Sequence, residues 1–125
     1  MFTVGFPAAA VLGLGPKFTD GAVSAEYGPG GETSLLQVTI PVQPGNSGGP
    51  VVTLDGSVVG IVSSSAAIIP FLKATGTLPQ NVNWAIKAEY AKPLFDQPQS
   101  RQVSKSRSEA IDHTTQAVCL VEATK

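Results

Sequence analysis

The sequence predicts an all-β fold, an antiparallel barrel or sandwich, on three observations. Glycine (13) and proline (10) are plentiful while aromatic residues make up only 6 %, a mix that suits short strands joined by many turns better than a helical bundle. About six short apolar runs follow one another within the first 98 residues, the density of a small barrel or sandwich. Asp55-Gly56 stands between two β-branched runs, a strong hairpin signal.

The strands are expected in this order. Phe2-Thr3-Val4 is short and apolar. Phe18 to Ala25 alternates and carries Val23. Ser34 to Pro41 holds Leu35, Leu36, Val38 and Ile40. Pro50 to Leu54 and Ser57 to Ser63 flank the Asp55-Gly56 turn, and Asn83 to Lys87 closes the series. Gly28-Pro29-Gly30-Gly31 and Leu78-Pro79-Gln80-Asn81 read as loops. Ala88 to Phe95 reads as one or two helical turns before Pro98.

Composition changes after residue 98. All 13 glycines and all 10 prolines lie within residues 5–98, and seven of the 17 charged residues fall in the last 26. The break at Gln97-Pro98-Gln99-Ser100 therefore divides a compact part, 1–98, from a tail, 99–125. In the tail, Ser106 and Glu109 form a capping-box pattern, which predicts a short helix over Ala110 to Ala117. Ala117 to Val121 reads as a strand, with Cys119 a buried small hydrophobe.

Several function classes are excluded early. Only 14 % of residues are charged and the net charge is −1, which speaks against a basic nucleic-acid binder, an acidic tail or a disordered chain. One cysteine and one histidine leave no disulfide framework and no ordinary metal site, so no cofactor is expected. Met1 to Gly15 is apolar and small, which invites a signal-peptide reading. No basic residue precedes Lys17, however, and Pro7 interrupts the run. The run is also shorter than the roughly 20 residues of a membrane span, so a buried strand and its turn is the better reading. Gly28 to Ser34 is glycine-rich, but no lysine follows the glycines as a phosphate-binding loop requires.

The stretch that carries chemistry is Pro44-Gly45-Asn46-Ser47-Gly48-Gly49-Pro50. A serine hydroxyl is a poor nucleophile unless exposed, fixed and paired with a base. Glycines on both sides allow backbone angles that other residues avoid. Such a turn can aim successive N–H groups into one concavity that binds a developing oxyanion; here the donors would be those of Gly45 and Ser47. For a bare Gly-Xaa-Ser-Gly an ordinary turn would be the preferred reading, but this match is seven residues long and its flanks agree.

The stretch Gln37 to Pro50, followed by Val51-Val52-Thr53-Leu54-Asp55-Gly56-Ser57-Val58-Val59-Gly60-Ile61, resembles the nucleophile region of trypsin-like serine proteases, closest to the HtrA/Deg branch. Val4-Gly5-Phe6-Pro7, Thr19 to Ala25 and Val82-Asn83-Trp84-Ala85-Ile86 resemble its other strands, so the resemblance covers residues 2–95 in order. It implies a six-stranded Greek-key barrel, the second half of a double barrel, followed by a short helical or extended tail. It implies Ser47 as nucleophile and the N–H groups of Gly45 and Ser47 as oxyanion donors. Pro41 would lie at the floor of the side-chain specificity pocket, and its lack of charge suggests small or apolar preferences. Val62 to Ser65, with Ser63, Ser64 and Ser65, would pair with the substrate backbone as an added strand, and Trp84 would line the far side. The partner implied is a polypeptide substrate. Relatives of this branch often work in the periplasm or at envelopes.

The family's catalytic order is His, Asp, Ser. Only 46 residues precede Ser47 and none is His. His113 lies 66 residues after Ser47 in Ile111-Asp112-His113-Thr114, which is not the family's setting, and reads as a helix-surface residue. Asp20 and Asp55 each precede a glycine and read as turn residues. The N-terminal barrel that supplies His and Asp is thus expected to be missing. This chain is then a fragment, or a free-standing half that has lost catalysis; the apolar face an orphan barrel would expose favours the first. The branch usually carries a PDZ module after the barrel, and residues 99–125 are too few for one. Losing the serine or histidine of a triad costs about a million-fold in rate, so the chain alone is expected to be inactive. Two rivals are a non-catalytic peptide-binding module that uses the added-strand groove, and a purely structural β domain.

Overall fold

The computed structural model describes residues 1–65, 68–77, 81–94, 103–121 and 124. The strands are β1 (Phe2–Gly5), β2 (Lys17–Asp20), β3 (Val23–Ala25), β4 (Leu35–Val38), β5 (Pro50–Val52), β6 (Val58–Ser65) and β7 (Asn83–Lys87). They form one antiparallel sheet in the order β2-β1-β5-β6-β7-β4-β3. Helices are few: α1 (Ala9–Leu12), α2 (Ile68–Thr75), α3 (Arg107–Ala117) and short 3-10 turns.

The sheet has seven strands among the described residues, not six, because the expected strand over 18–25 divides at Gly21. Its first half pairs with β1 and its second with β4. The two halves are the two edges of the sheet, joined by Gly21 and Ala22 alone, so the sheet must curl until its edges meet. Gly21 N–H donates to the Met1 carbonyl at 3.0 Å, and Thr39 N–H to the Ala22 carbonyl at 2.9 Å. A Cβ on Gly21 would lie 2.7 Å from Ile40 N. Only glycine fits this corner, where one backbone presses on another.

Curling creates two apolar clusters, one on each face. Leu36, Val38, Ile40, Val51, Val62 and Ala85 fill the inside. Phe2, Val4 and Val52 lie on the outside of β1 and β5, covered by Ala110 with Ile111 and Val118. Val51 and Val52 are neighbours yet serve opposite faces, as strand alternation requires. The tail thus supplies a second small core.

The tail helix is capped as its sequence predicts. Ser106 Oγ accepts from Glu109 N–H at 3.1 Å, and Glu109 Oε2 accepts from Lys105 N–H at 2.7 Å. Arg107 reaches back to Asp20 at 2.7 Å and lies over the Phe18 ring. Ser104 N–H donates to the Asp55 carbonyl at 2.8 Å.

Two tail expectations fail. Residues 118–121 pair with no strand: Val118 caps α3, and Val121 is 82 % exposed. Cys119 is exposed, not buried. The small barrel face is already covered by Ala110 and its neighbours, so little apolar surface remains for a strand to bury. The loop expected over 78–80, the residue Phe95 and the boundary at 97–100 lie outside the described residues. Ala88–Tyr90 and Lys92–Leu94 are 3-10 turns. The turn at Asp55-Gly56 forms as expected, with Thr53 N–H bonded to the Ser57 carbonyl at 2.9 Å. No helix among the described residues is long and apolar enough to cross a membrane.

Candidate active site

Ser47 sits in the loop between β4 and β5, and neighbouring backbone pins that loop from two sides. On one side the chain running out of β1 binds it: Phe6 N–H donates to the Gly45 carbonyl at 3.2 Å and Ala8 N–H to the Pro44 carbonyl at 3.1 Å. On the other side lies β6: Gly48 N–H donates to the Val62 carbonyl and Val62 N–H to the Gly49 carbonyl, both at 2.8 Å. Asn46 N–H closes a turn onto the Gln43 carbonyl, and Gly49 N–H onto that of Asn46, each at 3.0 Å.

The glycines answer to this geometry. Gly45 has φ +102°, and a Cβ there would overlap the Phe6 carbonyl oxygen. Gly48 has φ +84° with open space around it, so there only the backbone angle demands glycine. Asn46 is 2 % exposed and anchors the turn from below, its Nδ2 donating to the Pro41 carbonyl at 3.4 Å. Its Oδ1 is buried without a partner among the described residues.

The result is an exposed serine on a fixed turn. Asn46, Gly48 and Gly49 spend their N–H groups inside the fold. Those of Gly45 and Ser47 donate to no acceptor among the described residues. These are the two donors the sequence singles out. Ser47 Oγ donates to the Ser63 carbonyl at 3.1 Å, so the hydroxyl already has an acceptor within the sheet, and that acceptor is not a base.

The structure brings some of the other expected site residues near Ser47. Ser63 touches it through that carbonyl. Ser64 and Ser65 pair with Trp84 and Asn83 of β7, whereas the pairing of β5 with β6 reaches only to Ile61. Among the described residues, the end of β6 at Ser64 and Ser65 has no strand partner on the side of the Ser47 loop. Trp84 is half-buried, its Nε1 buried without a partner among the described residues. Pro41 is exposed and linked to the loop through Asn46.

His113 was read as a helix-surface residue, and the structure adds a position that sequence order gives no hint of. It lines the same open groove as Ser47, about 1050 Å³ in volume, between the barrel and the tail. Its own neighbours are in the tail: Nδ1 lies 3.5 Å from Ser104 Oγ and Nε2 4.0 Å from Glu109 Oε1. Asp20 pairs with Arg107, and Asp55 Oδ1 bonds within its own turn, to the Thr53 hydroxyl. No group of three metal-ligating side chains occurs among the described residues.

Residues 1–61 match the model of the trypsin-like peptidase domain. The chain is 46 % identical over 83 residues to a Sinorhizobium fredii protein carried as uncharacterized protein y4bJ, covering 66 % of this chain and 13 % of that one. It is 40 % identical over 88 residues to a probable periplasmic serine endoprotease, DegP-like, of Rhizobium meliloti, and 36 % identical over 89 residues to one of Brucella suis. These cover 68 % and 69 % of this chain, and 16 % of each relative. The chain thus spans less than a fifth of the length of the curated relatives it matches. The domain match and the DegP-like relatives agree: over residues 1–61 the chain is similar to the trypsin-like peptidase domain, and over about two thirds of its length to DegP-like serine endoproteases.

Proposed function

We propose that this chain is the nucleophile-bearing half of a serine-type endopeptidase domain, a Greek-key barrel that acts on polypeptides once a second barrel supplies His and Asp. Ser47 is the nucleophile, and the N–H groups of Gly45 and Ser47 hold the oxyanion. The observation that carries this reading is the pairing of an exposed serine with two uncommitted N–H groups on one pinned, glycine-flanked turn.

In the reaction, Ser47 Oγ attacks the scissile carbonyl while an imidazole removes its proton. The carbonyl oxygen takes the negative charge and receives the two N–H bonds. Donors fixed in place before the reaction need no reorganisation as charge develops, and losing one costs about 10²–10³ in rate. The Ser63 carbonyl now accepts the hydrogen bond that an imidazole would accept but cannot remove the proton, so the isolated chain is inactive. The test is labelling of Ser47 by a fluorophosphonate. The chain alone stays unlabelled; mixed with a His- and Asp-bearing N-terminal barrel of a DegP-like relative it becomes labelled, and Ser47→Ala abolishes that. No labelling in the reconstituted mixture counts against the assignment.

One observation favours a second reading, a peptide-binding module without catalysis. The unpaired edge of β6 at Ser64 and Ser65 offers main-chain groups to an added strand. Peptide binding unchanged in Ser47→Ala, with no labelling under any condition, would favour it. Pro41 and Trp84 flank the substrate side chain in both readings.

A further inference from the structure

The nucleophile chemistry makes no use of the tail, yet the tail stands where that chemistry is incomplete. Ser47 has Ser63 of β6 on one side, bonded through its hydroxyl. It also lines the open groove between barrel and tail, which Ser63 does not. Val4 and Val52 belong to the barrel wall of that groove, and His113, Ala117 and Val118 to the tail wall. A base must come within hydrogen-bond reach of Ser47 Oγ, about 2.6–3.2 Å. The β6 side is held by the bond to Ser63, so a domain carrying that base comes in by the groove, against the tail.

The face behind the tail is the kind a second domain buries. Phe2, Val4 and Val52 are each at most 1 % exposed, and Ala110, Ile111 and Val118 of the tail pack on them. Phe18 adjoins Phe2, with ring centroids 5.5 Å apart, and carries Arg107 over its other side. With the tail lifted, these four apolar side chains form one exposed patch, which marks an interaction surface.

The tail holds this face lightly. Of the eleven residues of α3, only Ala110 and Thr114 are buried. The Arg107–Asp20 pair is more than half exposed on both sides, and such pairs stabilise little. Leu120 and Val121 cover nothing with much of their own surface, being 39 % and 82 % exposed. A helix with so few buried side chains belongs to the elements that open most readily.

We propose that residues 103–121 are a displaceable cover, which holds the outer face of β1 and β5 in the free chain and gives it up to the second barrel. This rests on the reading above, in which a second barrel supplies His and Asp. Cover and barrel exclude each other, so the tail lowers the barrel's apparent affinity by the fraction of chains whose face is open. It also keeps the apolar face out of water until the barrel arrives.

The test uses the full 125-residue chain and the fluorescein-labelled N-terminal barrel of a DegP-like relative. Ala110→Arg lifts the tail, whereas Arg107→Ala removes only an exposed side chain from it and leaves the core alone. By fluorescence anisotropy the barrel binds Ala110→Arg about tenfold more tightly than the parent, and Arg107→Ala about twofold. Hydrogen–deuterium exchange over 107–117 of the parent rises, with saturating barrel, to the rate seen in free Ala110→Arg. Equal binding by the three chains, or an α3 as protected in the complex as in the free chain, overturns the proposal. Fluorophosphonate labelling of Ser47 is read separately. Labelling with α3 still protected sinks the cover alone, and release of α3 without labelling sinks the nucleophile reading alone. No binding by any of the three chains sinks both.

Discussion

Ser47 Oγ donates a hydrogen bond to the Ser63 carbonyl oxygen at 3.1 Å, bridging 16 residues of sequence. The hydroxyl of the candidate nucleophile is thus held against the strand expected to carry substrate, with a neutral acceptor in place of a base. The isolated chain is expected to cleave no peptide at a useful rate, since a missing triad histidine costs about a million-fold. Incubation of the pure chain with a peptide library, followed by mass spectrometry, checks this. Cleavage that disappears in Ser47→Ala would overturn it.

Gly45 and Gly48 have similar positive φ but differ in what surrounds them, and that difference is measurable. Gly48→Ala pays only for the left-handed backbone, about 1–2 kcal/mol. Gly45→Ala adds a collision with the Phe6 carbonyl, and the chain must shift β1 or the loop to relieve it. The expected loss is about 3 kcal/mol or more. Urea midpoints of the two variants, compared with the parent, decide the order.

Asn46 is buried beneath the Ser47 turn, and its Oδ1 faces no donor among the described residues. Asn46→Asp places a carboxyl there without a partner for its charged form, so its folded pKa rises above the unfolded value. The folded state then binds the extra proton, and the variant's deficit relative to the parent grows as pH rises through the unfolded pKa. At neutral pH the loss is about 2 kcal/mol or more. Paired urea titrations at pH 4 and pH 7 measure it; a deficit equal at both would refute the argument.

Glu32 is exposed and accepts from Ser34 Oγ at 2.7 Å and Ser34 N–H at 2.9 Å. The hydroxyl bond first, and the backbone bond second, hold its carboxyl below the usual carboxylate value. A depressed folded pKa means the stabilisation is present above the unfolded value and is lost as pH falls through the folded one. An NMR titration of the Glu32 side chain should show the lowered midpoint, and Ser34→Ala should move it back towards the ordinary value.

Ala110 is fully buried against Phe2, Val4 and Val52. Ala110→Arg forces a long charged side chain into that contact and releases the tail helix, while the inner cluster around Val38 and Ile40 is untouched. Limited proteolysis is expected to cut within 103–121 several-fold faster in the variant, with the barrel fragment persisting. The docking energy lost is about 1–3 kcal/mol.

The glycine-flanked turn at Ser47 is legible because its signal is local. A serine between glycines, an apolar strand after Pro50 and the Asp55-Gly56 turn all lie within twenty residues, and each acts through backbone angles that its own residue types permit. The capping box at Ser106 and Glu109 is legible for the same reason. The strand count was not, because the break at Gly21 depends on Thr39 and Ile40 pressing on it from across the sheet. The helix over Ile68–Thr75 lies between the expected strands, where the sequence reading places no element. The exposure of Cys119 was missed because an apolar run reads as buried until the surface it would cover is known to be taken.

The sequence by itself determined the glycine-flanked turn at Ser47, the hairpin that braces it and the capped helix of the tail, since these follow from residue type and short spacing. Tertiary structure alone decided that two residues close the curled sheet, that the tail covers the outside of β1 and β5, and that His113 and Ser47 share one groove. Those relations join residues more than 100 positions apart, as Phe2 and Ala110 are. Nothing in local propensity encodes which distant surfaces will be left apolar and uncovered when the sheet curls, and the burial of that surface is what brings them together.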